Sequence, residues 1–73
     1  MKTVKIFKTN VGCNEDANKI ITCLLALNPA YKINFDLEDE ENILRIESNQ
    51  YEIDIEGSIK SVTNLGFVCE KII

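Results

Sequence analysis

The stretch YEIDIEGSIKSVTNLG, residues 51–66, decides the fold, because it satisfies two periodicities at once. Tyr51, Ile53 and Ile55 alternate with acidic residues as a strand would, whereas Ile55, Ile59, Val62 and Leu65 recur at helical spacing. The end signals favour a helix over residues 54–65, with Asp54 placed to cap its start and Gly66 to end it. Gly57 costs such a helix up to about 1 kcal/mol relative to alanine, so its first turn is expected to be weak.

On either side of this helix the period is two. Residues 67–73 read as a last strand. Upstream, Ile33, Phe35 and Leu37 alternate with Lys32, Asn34 and Asp36, and residues 43–47 read as the returning strand of a hairpin. Between them lies an acidic turn, Asp36, Glu38, Asp39, Glu40 and Glu41, closed by Asn42. Residues 3–9 are rich in β-favouring types and read as the first strand, with Lys2, Lys5 and Lys8 as outward residues. Turn chemistry follows at residues 10–14. Asn14 is the expected N-cap, with Glu15 and Asp16 in the first turn of a helix over 15–27. Ala17, Ile20, Ile21, Leu24 and Leu27 form its apolar stripe, and Pro29 stops it. The order βαββαβ is the split βαβ, or ferredoxin-like, α+β arrangement: a four-stranded antiparallel sheet with both helices on one face. Right-handed crossovers put the first and third strands at its centre. The loop before the first helix and the start of the last strand then share one end of the sheet, which makes Cys13 and Phe67 expected neighbours.

At 73 residues the chain is expected to form one small domain. Eight basic against 12 acidic residues, a net charge of -4, argue against nucleic acid as a partner. The absence of histidine excludes His-based acid–base catalysis and Cys/His zinc sites. The longest apolar run, residues 24–27, is far short of a membrane span. Three cysteines, Cys13, Cys23 and Cys69, cannot all pair within one chain. With no apolar leader in the first residues, this points to a reducing compartment, and a cytoplasmic location is expected.

Residues 10–16, Asn-Val-Gly-Cys-Asn-Glu-Asp, lie between the first strand and the first helix. There the chain resembles the heavy-metal-associated domain family of copper chaperones and transporter modules, whose motif is G-M-T/S-C-x-x-C. The first family cysteine matches Cys13, and the second falls on Asp16; the glycine and methionine positions fall on Asn10 and Val11. Further on, residues 20–24 fit the family's helix pattern, Phe35-Asp36-Leu37 its second strand and Gly66-Phe67 the opening of its last strand. The resemblance covers nearly the whole chain and implies a small, non-catalytic binding protein. It would bind Cu(I) or another soft metal weakly at Cys13, helped by Asp16, with Val11, Gly12 and Phe67 shaping the pocket. Cu(I) prefers two thiolates and a carboxylate is a hard ligand, so one chain holds half a site, and a homodimer would bring two Cys13 thiols together.

A rival expectation keeps the fold without the metal: a protein-interaction module whose acidic hairpin tip, Glu38, Asp39 and Glu40, meets a partner protein. That tip lacks the spacing and the central glycine of a calcium loop. Enzyme readings fail on residues. A phosphate cradle before the first helix needs an arginine, and the single one is Arg45 in the third strand. A thioredoxin-like site needs C-x-x-C. An RNA-binding sheet needs exposed aromatics on its central strands, where this chain has Leu44, Arg45 and Ile46.

Overall fold

A computed structural model describes residues 3–49 and 53–72; Lys2 and Tyr51, named above, and residues 52 and 73 of the stretches read above lie outside it. The elements are β1 (Thr3–Thr9), α1 (Asn14–Leu27), β2 (Lys32–Asp36), β3 (Ile43–Ser48), α2 (Ile55–Asn64) and β4 (Cys69–Lys71). They form one antiparallel sheet in the order β2-β3-β1-β4, so the ferredoxin-like α+β arrangement is present, with β1 and β3 central.

Register assigns the faces. Phe7 pairs with Leu44, which pairs with Phe35; Ile46 pairs with Ile33 and with Lys5. Paired residues point to the same side of a sheet, and these share one core with Ala17, Ile20 and Leu24 of α1 and Val62 of α2. Both helices therefore pack on this face. Among the described residues seven apolar or aromatic side chains, Phe7, Val11, Ile20, Leu24, Leu44, Ile46 and Val62, are fully buried, each contributing roughly 1.5–3 kcal/mol of transfer free energy. Val4, Ile6, Ile43 and Arg45 lie on the opposite, open face and are half-buried.

The ends of α2 follow the side chains that frame it. Asp54 is its N-cap and accepts a hydrogen bond from the Gly57 N–H at 2.9 Å. A Cβ on residue 57 would collide with that carboxylate, so the glycine leaves room for the cap rather than merely weakening the turn. At the other end Gly66 has φ 93°, its N–H bonds to the Thr63 carbonyl at 3.0 Å, and the Phe67 N–H reaches back to Val62 at 3.3 Å. These are the two bonds of a Schellman ending. Tyr31, buried at the head of β2, accepts from the Asp54 N–H at 3.0 Å and ties the cap to the sheet.

Several local expectations are corrected. Lys5 and Lys8 are three apart and the strand period is two, so they cannot share a face. Lys8 is exposed on the open face, while Lys5 sits among the helix-facing residues. The N-cap of α1 is Cys13, one residue before the expected Asn14, because the Ala17 N–H closes the first helical ring on the Cys13 carbonyl at 3.1 Å. At the far end Asn28 is extended (φ -153°), as the residue before a proline must be, and Leu27 swings outward to 44% exposure. Leu65, expected in the stripe of α2, is likewise exposed, lying past the last helical residue. The last strand is shorter than residues 67–73. Phe67 is used by the helix ending, and the Val68 N–H bonds to the Asn10 side chain instead of extending the ladder.

A Gly66→Ala substitution forces a Cβ into the left-handed region. It should lower unfolding free energy in urea by about 1–2 kcal/mol without changing the circular dichroism spectrum.

Candidate functional site

Because β1 runs antiparallel to β3 and β4, its C-terminal end meets the hairpin at residues 37–42 and the turn at residues 65–68. The loop at residues 10–13 leaves from the same place. Thr9 holds this end together. It is 6% exposed, and its N–H donates to the Glu41 carbonyl at 3.2 Å. Its hydroxyl donates to the Asn42 carbonyl at 2.6 Å, and its Oγ1 accepts from the Val11 N–H at 3.2 Å. One buried side chain thus joins the hairpin to the loop that carries Cys13. Asn10 adds a second tie, its Oδ1 accepting from the Val68 N–H at 2.8 Å.

The hairpin tip is shaped by its own carboxylates. Asp36 Oδ1 accepts from the Glu38 N–H at 3.2 Å and Asp39 Oδ1 from the Glu41 N–H at 2.9 Å, two Asx turns. The Asn42 N–H then bonds to the Asp39 carbonyl at 3.0 Å, with Asn42 itself at φ 48°. Glu38, Asp39, Glu40 and Glu41 are exposed. Asp39 also serves the turn through its carboxylate.

The expected metal-site residues separate by role. Cys13 is exposed, with extended backbone (φ -142°, ψ 157°), and its side chain makes no capping hydrogen bond. Asp16 is half-buried in the first turn of α1. Val11 is fully buried and belongs to the core. Gly12 is exposed, and a Cβ there would meet nothing within 4 Å. Phe67 is half-buried against the core, and its turn is drawn to the Cys13 loop by the Asn10–Val68 bond. The sequence reading missed Thr9 and Asn10. Thr9 reads as an ordinary strand residue and Asn10 as an ordinary turn residue, and only the long-range register gives them these partners.

Among the described residues the donor set does not complete a soft-metal site within one chain. Among the described residues no three His, Cys, Asp or Glu side chains come together as a metal cluster. Cys23 lies ten residues along α1 from Cys13, roughly 15 Å of helical rise. Cys69 is buried, and desolvation pushes its thiol up from about 9 to about 11, which holds it protonated at neutral pH.

Comparison of the chain with protein-family models, with curated proteins and with solved structures gave no match.

The Cys69 thiol also makes stability depend on alkaline pH. Between about pH 9 and 11 the unfolded chain loses this proton and the folded chain keeps it, so stability falls as pH rises. The wild-type urea midpoint should drop more steeply over that interval than that of Cys69→Val, and below pH 8 the two slopes should coincide.

Proposed function

We propose that this chain is a non-catalytic protein-interaction domain. Its working surface is the acidic end of the sheet, and its partner presents a basic face. The observation that supports this reading is the Thr9 junction, which holds the hairpin and the Cys13 loop as one preformed unit. That end gathers Glu15, Asp16, Asp36, Glu38, Asp39, Glu40 and Glu41, seven of the chain's 12 acidic residues. A prearranged surface loses less conformational entropy on docking, and carboxylates of one sign accelerate encounter with a cationic partner.

The test begins with proteins captured on the immobilised chain, which are then purified and titrated individually. Glu38→Lys/Glu40→Lys should weaken a true partner at least about fivefold and flatten its salt dependence. Thr9→Val keeps every charge but strands buried polar groups, at a stability cost of about 1–3 kcal/mol. It too should bind more weakly, and Thr9→Ser should recover the affinity. Binding that ignores the lysine pair, or that is the same for Thr9→Val, overturns the reading.

A second reading rests on the exposed Cys13 thiol, which no capping bond occupies. Two chains would each give one thiolate to a shared soft metal ion such as Cu(I). Anaerobic titration of the reduced protein against a chelator should then saturate at one ion per two chains and fail in Cys13→Ser. Equal uptake by the variant, or none by the wild type, removes it.

A further inference from the structure

Lys5 stands where the fold gives no reason for a charge. β1 is a central strand, and register sets Lys5 opposite Ile46, which is fully buried, on the same face as Phe7. Such positions take apolar residues, and lysine is rarely withdrawn from water unless paired. Lys5 is half-buried, and among the described residues no acidic side chain forms an ion pair with it. The ion pair of Arg45 with Glu47, 2.9 Å, lies on the opposite face of the sheet. Asp54, at the head of α2, has its carboxylate turned onto the Gly57 N–H.

Next to Lys5 the sheet and the start of α2 stand apart. A cleft of about 310 Å³ opens there, lined by Thr3, Lys5, Ile53 and Ile55. Two isoleucines beside a convergent ammonium and hydroxyl are the makings of a small-molecule site, and this volume lies at the lower end of the ligand-pocket range. At about 30 Å³ per water-sized group it takes a molecule of roughly ten non-hydrogen atoms.

We propose that this cleft binds a small amphipathic monocarboxylate, with its carboxylate on the Lys5 ammonium and its hydrocarbon chain against Ile53 and Ile55. The single cation among the described lining residues selects the class. A phosphate or a dicarboxylate would bring more charge than one ammonium and the Thr3 hydroxyl can satisfy, and would gain nothing from the isoleucines. The site lies at the opposite end of β1 from the Thr9 junction, so it is independent of the acidic surface.

The probe is octanoate, titrated into the labelled protein and followed through the backbone amide resonances, with 1-octanol and octylamine as controls. Octanoate should shift Thr3, Lys5, Ile53 and Ile55 saturably, and both controls should bind at least about tenfold more weakly. Lys5→Met keeps the stem and removes the charge; it should lose octanoate at least tenfold and raise the urea midpoint, since an unpaired half-buried charge is gone. Lys5→Gln guards against the methionine simply filling the cleft, and it must lose octanoate as well. Octanol binding as well as octanoate, undiminished affinity in Lys5→Gln, or shifts confined to other residues would overturn the proposal. A lower urea midpoint for Lys5→Met would do the same, by making Lys5 a stabilising residue.

Discussion

A strand hydrogen-bonded along both edges has no freedom to choose its facing, and β1 is such a strand. Once Phe7 enters the core opposite Leu44, every second residue is committed with it, from Thr3 and Lys5 to Thr9. The polar members of that series are the informative ones. Thr9 reaches the end of the sheet as a buried hydroxyl and joins three backbone groups from two loops. Lys5 reaches the other end as a half-buried ammonium beside an apolar cleft. The hairpin conformation, the placement of the Cys13 loop and the cleft near α2 all depend on the same two-residue period.

The distribution of charge follows from this geometry. Glu15 and Asp16 sit at the end of β1 because α1 follows it directly, and the antiparallel ladder returns the hairpin acids between β2 and β3 to the same end. Their mutual repulsion is tolerated because the side chains are mostly exposed and screened at physiological ionic strength. Part of it is also converted into structure, since Asp36 and Asp39 direct carboxylate oxygens onto backbone N–H groups of the same turn.

How much of this was legible beforehand depends on the range of the interaction concerned. Within the ambiguous stretch the helix expected over residues 54–65 is present as α2, because both of its signals are local: Asp54 reaches three residues to Gly57, and Gly66 closes the last turn. The hairpin and the strand order were legible for similar reasons, through alternation and the handedness of crossovers. The facing of β1 was not. Val4 and Ile6 place two apolar side chains on one face against Phe7 on the other, and composition alone cannot weigh them. Only pairing with Leu44 and Ile46 decides, and it turns Lys5 inward. At the candidate site, Cys13 and the hairpin acids were visible as residue types. Their junction was invisible, because Thr9 and Asn42 lie 33 residues apart and Asn10 and Val68 lie 58 apart.

Those separations bear on how the chain reaches its structure. β1 comes first among the described elements, but both of its hydrogen-bonding partners come after α1, and β4 is the last of all. During synthesis the most demanding strand therefore emerges with two open edges and must wait for residues 43–48 and then 69–71 before either is closed. Loop-closure entropy is met before the ladder rewards it, so folding is expected to be slow for a chain of this length. In that interval Val4, Ile6 and Phe7 are available to other chains, and Lys5 and Lys8, whatever they do in the folded protein, act as gatekeepers against edge-to-edge aggregation.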